Sequence, residues 1–341
     1  MTSQLPVLVD PAPPPARSWR AAAWANRGWL IGGATVAALA ASAGFNLANA
    51  RRAEAEHPPA GRFVEVDGVR LHYVVRGLGR PVVLLHGNGV TWHDWEASGV
   101  LDRVVMGHRV IAFDRPGFGY SSRPRRTVWT PRAQAALIAK ALAELGVVDA
   151  VVVGHSWGAL VALAMAVDHP EIAAGLVLLS GYYYPTARPD VLPMAAPAMP
   201  GLGDVLAHTV SPLSGAAMGP LIVKASFAPA PVSAKFARFP LALALRPRQV
   251  RATAADAALM VPAAAELSRH YAGLALPVAI MAGKGDRIAG VATHAERLAA
   301  DIHDSELRIV PGLGHLFHYD ATDAVAAAID AVAARAAGRA A

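Results

Sequence analysis

The 341-residue chain contains no cysteine. That excludes disulfides, a thiol nucleophile and any zinc site built on thiolates, and it leaves the compartment open. Charge is also scarce: 16% of the residues are charged against 54% hydrophobic, a balance that directs attention to a membrane segment. The formal net charge is +6, from 31 basic and 25 acidic residues, but no Lys/Arg stripe interleaves with aromatics, so no nucleic-acid partner is expected. The excess arginines stand singly in the N-terminal part and middle of the chain, which fits a surface near anionic lipid better. An internal repeat is lacking too. One glycine loop, Asp114-Arg115-Pro116-Gly117-Phe118-Gly119-Tyr120-Ser121, has no following G-x-x-G and no Walker lysine, and is expected to shape a turn rather than cradle a phosphate. No cofactor and no metal are expected. What remains is apolar material for one large α/β domain with an insertion.

Residues 1–16 are rich in Pro and Ala and cannot pack a core, so a disordered basic tail is expected over residues 1–27. An uncharged stretch follows over residues 28–50, bounded by Arg27 and by Arg51-Arg52. At about 1.5 Å per residue it just spans a hydrocarbon core of about 30 Å. Trp24 and Trp29 lie where interfacial aromatics would sit, although Ala and Gly dominate and Asn46 and Asn49 interrupt the far end. A single-pass N-terminal anchor is the favoured reading. The alternatives are a signal peptide cleaved after Ala41-Ser42-Ala43 or Ala48-Asn49-Ala50, giving a secreted or periplasmic protein, and a helix lying on a surface or partner. Arginines flank both sides, and an inside N-terminus is only slightly favoured.

From Gly61 the pattern changes. Residues 62–66 and 69–75 alternate with period two around Asp67-Gly68, the signature of a β-hairpin. Short, mostly apolar runs at 81–85, 109–113, 147–153, 175–179, 277–282 and 306–310 suit strands of a sheet covered on both faces. Helix-compatible segments separate most of them, including one over 131–145 with Thr130 as N-cap, Pro131 in its first turn and Gly146 beyond its end. A mostly parallel, doubly wound α/β fold follows, with its core in residues 61–181 and 269–341. Between 182 and 268 the alternation stops and prolines recur, which reads as a largely helical cap over the C-terminal edge of the sheet, where open α/β folds bind ligands.

Chemistry concentrates at the strand ends. Gly154-His155-Ser156-Trp157-Gly158 stands between an apolar strand and a helix, the setting of a G-x-S-x-G nucleophile turn. A serine hydroxyl needs a base. His315 occupies the glycine-rich loop Pro311-Gly312-Leu313-Gly314-His315 after the last strand and is the favoured base; His318 is expected to pack or face solvent within the next helix. The orienting carboxylate is expected at Asp286, just past the strand at 277–282, with Asp301 and Asp304 as runners-up at the opposite edge of the sheet. Donors for a developing oxyanion are expected from the amides of Asn88, in the loop His86-Gly87-Asn88-Gly89, and of Trp157.

These motifs, in this order and approximate spacing over residues 62–337, resemble the α/β-hydrolase superfamily. The resemblance implies an eight-stranded sheet with the second strand antiparallel, and carries nucleophile, acid and base onto Ser156, Asp286 and His315. Its dehalogenase and soluble epoxide-hydrolase members carry aspartate at the nucleophile turn, so Ser156 argues against both. Many members place proline where Gly89 stands, and Trp157 resembles the turn of proline iminopeptidases, although no acidic cluster suited to a substrate amine is evident. The expected activity is hydrolysis of an ester of a mostly apolar, lipid-like acyl group. The alternatives are C–C bond hydrolysis, peracid formation and N-terminal proline removal on the same residues. Outside that chemistry stand a catalytically silent ligand receptor and a membrane scaffold that docks a partner.

Overall fold

The computed structural model describes residues 19–189 and 191–340, the side chains of residues 19–28, 192 and 340 excepted. The tail expected to be disordered lies outside the described residues up to position 18. From there on the chain is helical, because α1 runs from Trp19–Glu56, well beyond the 28–50 stretch at both ends.

The strands are β1 (Arg62–Val66), β2 (Val69–Arg76), β3 (Arg80–Leu85), β4 (His108–Phe113), β5 (Ala150–His155), β6 (Ala173–Leu179), β7 (Val278–Gly283) and β8 (Ser305–Val310). They form one sheet in the order β1-β2-β4-β3-β5-β6-β7-β8, and β2 alone runs against both of its neighbours. The hairpin turns at Asp67 and Gly68, both at positive φ, which matches the twist of the strands they join.

Every residue of β5 is buried, because helices cover both faces of the sheet. Val152 points into one core with Val83, Ile111 and the helices α4 (Pro131–Glu144) and α5 (Trp157–Asp168). Val151 and Val153 point into the other, against α3 (Val100–Val104) and α12 (Thr322–Ala340). Thr130 caps α4 by accepting the Ala133 amide at 3.1 Å, and Gly146 takes a positive φ just beyond its end.

Between β6 and β7 no strand intervenes among the described residues. The helices there are α6 (Val191–Ala195), α7 (Leu202–His208), α8 (Val210–Phe227), α9 (Leu241–Ala244) and α10 (Pro247–Leu267). The polar residues that interrupt α1 have a structural reason: Asn46 is buried and donates to the carbonyls of His208 and Thr209, and Ser42 also donates to Thr209. The C-terminal part of α1 is therefore packed on the inserted helices.

Two glycines let β5 meet α5 at the strand end. A Cβ on Gly154 would lie 2.4 Å from the Gly158 carbonyl oxygen, and one on Gly158 would lie 2.1 Å from that of Leu85. Both obstacles are backbone, which cannot swing aside. Gly158→Ala is expected to cost about 3 kcal/mol or more, read as a lower urea midpoint at unchanged slope.

Candidate active site

Ser156 sits between β5 and α5 at φ 53°, ψ −117°, a region that costs a non-glycine residue of order 1–3 kcal/mol. The strain holds its side chain off the sheet, at the positive end of the α5 dipole. Trp157, as the first residue of α5, has an amide without an intrahelical acceptor.

Asp286 and His315 lie on loops after β7 and β8, and the structure brings them together. The His315 Nδ1–H donates to Asp286 Oδ2 at 2.8 Å. The other oxygen, Oδ1, accepts the amides of Ile288 at 2.8 Å and Ala289 at 2.9 Å. Burial opposes ionisation of Asp286, but the neighbouring His315 imidazole and these amides prevail and hold its pKa below the ordinary value. With Nδ1 engaged, the neutral His315 ring keeps its lone pair on Nε2. The loop of His315 meets the serine turn directly: His155, the residue before Ser156, donates from Nε2 to the His315 carbonyl at 3.2 Å, and the two rings lie 5.0 Å apart. Asp301 is engaged elsewhere, accepting from the Tyr184 hydroxyl at 2.6 Å, and Asp304 pairs with Arg335 and Arg339.

The loop after β3 reaches the same place. A Cβ on Gly87 would lie 3.3 Å from Ser156 Cβ, so this backbone passes beside the serine. Its orientation is set by Arg115, whose guanidinium donates to the carbonyls of His86 at 2.8 Å and Gly87 at 2.9 Å. In a trans peptide the N–H points opposite to the C=O. Holding the Gly87 carbonyl toward Arg115 therefore turns the Asn88 amide the other way. The Asn88 side chain is occupied with the insertion, donating to the Thr253 carbonyl of α10 at 3.1 Å. His86 accepts the Arg115 amide through Nε2 at 3.0 Å; burial, then the Arg115 charge, lowers its pKa to about 3, so it stays neutral.

Arg115 is fully buried, and its charge is met by Asp256 of α10 at 2.7 Å and by Gln134 of α4 at 2.8 Å. Neither Arg115 nor Asp256 stands in a recognisable sequence pattern for this role. The adjoining Asp114 accepts from His72 at 2.8 Å and from the amides of Trp92 and Tyr120. The glycine loop is thus a structural turn, as expected.

A second polar cluster lies behind His315. Of the two roles expected for His318, packing or solvent exposure, the structure shows packing: it is fully buried, though in a 3₁₀ turn ahead of α12 and not within that helix. It donates from Nε2 to Asp94 at 3.1 Å, and Tyr319 donates to the other Asp94 oxygen at 2.8 Å. Asp94 lies on α2 (His93–Ser98), just after the Asn88 loop, so this carboxylate ties that loop to the one bearing His315. Burial would raise the Asp94 pKa, but His318 foremost brings it down to about 2. His155 Nδ1 is 4.0 Å from the same carboxylate, making Asp94, His155 and His318 a set of metal-ligating atoms within reach of one ion. Because Asp94 already accepts from His318 and Tyr319, the cluster is a hydrogen-bonded clamp. Each of its contacts joins residues far apart in sequence, and no spacing signals them.

Residues 80–322 match the model of the alpha/beta hydrolase fold, and the chain belongs to that family. Among curated proteins it is 37% identical over 130 residues to the 2-hydroxymuconate semialdehyde hydrolase of Pseudomonas sp. strain CF600, covering 36% of this chain and 44% of that protein. It is 35% identical over 114 residues to the soluble epoxide hydrolase of Corynebacterium sp. strain C12, covering 33% and 39%. The matches thus span less than half of these relatives. A thermophilic esterase from Thermogutta terrifontis superposes with TM-score 0.62 at 23% identity over 81% of this chain and 99% of that one. A bacterial membrane phospholipase A does so with TM-score 0.63 at 20% identity over 90% and 99%.

Asp256→Asn removes the counter-charge of a buried guanidinium. It is expected to cost about 3–5 kcal/mol of stability, measured by urea denaturation. The folded-state pKa of Asp94 is depressed, so its contribution to stability is present above its unfolded value of about 4 and is withdrawn as pH falls towards 2. The denaturation midpoints of wild type and Asp94→Asn are expected to differ at pH 6 and to converge on acidification.

Proposed function

We propose that the protein is a serine hydrolase that cleaves esters of mostly apolar acyl groups through an acyl-enzyme. The observation that carries this reading is the 2.8 Å hydrogen bond from His315 to Asp286, on a loop that bonds to the residue preceding the strained Ser156. Ser156 Oγ attacks the ester carbonyl while His315 Nε2 takes its proton. Asp286 keeps the proton on Nδ1 and stabilises the imidazolium that forms. The amides of Asn88 and Trp157 receive the oxyanion, each worth roughly a factor of 100 to 1000 in rate. His315 returns the proton to the leaving alcohol, and water, deprotonated by the same nitrogen, releases the acid.

Ser156 also separates this chain from the epoxide-hydrolase and dehalogenase members of the superfamily, for which the resemblance drawn from the sequence implies an aspartate at the nucleophile turn. A second reading, hydrolysis of a C–C bond, is favoured by the similarity to the semialdehyde hydrolase. It uses the same serine and differs in the leaving group, a carbanion equivalent in place of an alkoxide. In either case α1 is read as a membrane anchor: its segment Trp29–Glu56 is long and apolar enough to span, and it is almost wholly unburied over its apolar window.

A fluorophosphonate probe is expected to label the wild type and not Ser156→Ala, and Asp286→Asn is expected to lower ester turnover by about four orders of magnitude. Labelling of both proteins would remove the serine from the mechanism. Turnover of p-nitrophenyl esters in preference to 2-hydroxymuconate semialdehyde favours the ester reading; the reverse order favours the C–C reading.

A further inference from the structure

We infer that the inserted helix α8 docks into the same membrane leaflet that α1 enters, so that the cap is a second, monotopic membrane contact and esters reach the site from within the bilayer. This rests on the reading of α1 as a spanning anchor and on the proposed ester chemistry.

The first argument is one of length. From Arg27, the last charged residue before the apolar stretch, to Ser42, the first described residue whose side chain bonds the insertion, the helix measures only about 23 Å at about 1.5 Å per residue. A hydrocarbon core of about 30 Å takes about twenty residues and reaches the level of Leu47. Ser42 and Asn46, both within that length, are bonded to the carbonyl of Thr209. Thr209 is the hinge between α7 and α8, whose axes bend by 54° there. If α1 spans, the start of α8 is held inside the leaflet. At the same level α1 presents Phe45 and Leu47 exposed on its free side, so the helix pair offers lipid an apolar surface there.

The second argument is the surface of α8. Val210, Leu213, Met218, Leu221 and Ile222 are all exposed, Leu221 at 60%. Its only charged residue is Lys224, in the last turn. Water is a poor neighbour for such a face, and no described segment of the chain covers it.

The third argument is charge. A cleft of about 760 Å³ adjoins the hinge, lined by Arg123, Arg125, Arg248 and Arg251 together with His208, the last residue of α7. Four arginines line it against three carboxylates: Asp256 meets Arg123, Asp204 is shared by Arg125 and Arg251, and Glu54 meets Arg248, while Asp256 and Glu54 are also drawn on by the buried Arg115 and Arg246. The cleft is left with a positive excess beside an apolar face, which suits the anionic headgroups of a bilayer better than an apolar protein partner. A second copy of this chain would bring the same positive cleft with it.

The docked face leads to the chemistry. At the end of α8 the Ser226 carbonyl accepts the Leu316 amide at 3.1 Å, next to His315. The following residues close on both loops, since a Cβ on Gly314 would meet the Ala228 oxygen at 2.2 Å and one on Gly285 would meet Pro229 at 2.1 Å. An acyl chain rising along α8 from the leaflet therefore arrives at the loops of Asp286 and His315.

The absence of cysteine makes the test direct. Single variants Val36→Cys, Leu221→Cys and Val148→Cys of the full chain are labelled with an environment-sensitive fluorophore. They are reconstituted in vesicles of phosphatidylcholine with a minority of phosphatidylglycerol. Val148 is exposed ahead of β5, at the opposite edge of the sheet from Ser156, and serves as the aqueous control. Lipid-borne nitroxides are expected to quench the labels at 36 and 221 severalfold and to leave the label at 148 unquenched. Quenching at 36 without 221 overturns the docking of α8 and leaves the anchor standing. Quenching at neither overturns both. Blue-shifted emission at 221 that grows with protein concentration in detergent alone overturns the proposal in favour of a second copy on that face. None of these readouts depends on turnover, so failure of the ester chemistry is detected separately by the serine probe.

Discussion

A single buried guanidinium holds the site together. Arg115 has no access to water, so its charge must be met by protein, and it is met from three directions: the Asp256 carboxylate of the insertion, the Gln134 amide of α4 and the two carbonyls at the end of β3. Each contact satisfies the cation and at the same time fixes its partner. The carbonyls of His86 and Gly87 are drawn outward, which leaves the Asn88 amide facing the other way. The insertion is tied to the core by an ion pair that cannot be broken without stranding a charge. Pre-organised donors are what an oxyanion requires, and under the proposed mechanism the Asn88 amide is such a donor, its direction set before any ligand arrives.

The Asp94 cluster extends the same logic to the other side of the serine. It ties the helix after the Asn88 loop to the turn after His315 through His318 and Tyr319. His155 completes the connection by bonding to the His315 carbonyl. Three loops from three strand ends are thus cross-linked beneath the surface by charged or strongly polar bonds, while the apolar cores lie on the two faces of the sheet. Rigidity at the strand ends and an apolar exterior on the insertion are compatible because different residues provide them.

Much of the fold was legible. Short apolar runs gave the strands, since a strand covered on both faces must be apolar throughout, and the Asp67-Gly68 turn gave the antiparallel hairpin. Ser156, Asp286 and His315 were singled out by position, each just past the C-terminal end of a strand, and the structure joins two of them, Asp286 and His315, by a hydrogen bond. The course of α1 was less legible: its first turns and its last lie outside the apolar stretch because the helix is continued by backbone bonding and by contact with the insertion, neither of which needs apolar residues. Asn46 looked like a flaw in a membrane segment. Its amide bonds to the carbonyls of a hinge 162 and 163 residues away.

The sequence by itself determined which residue types stand at the strand ends and where glycine is required, because those constraints are local: a turn between strand and helix, a close backbone approach, a two- or four-residue period. Only the tertiary structure decided how these loops are held against one another. Arg115 with Asp256 is a buried pair of opposite charges and Asp94 with His318 a buried hydrogen-bonded pair, separated by 141 and 224 residues. Nothing along the chain marks such partners, since the force that selects them is the cost of leaving a buried charge or polar group unpaired away from water, and that cost exists only once the chain has closed around them.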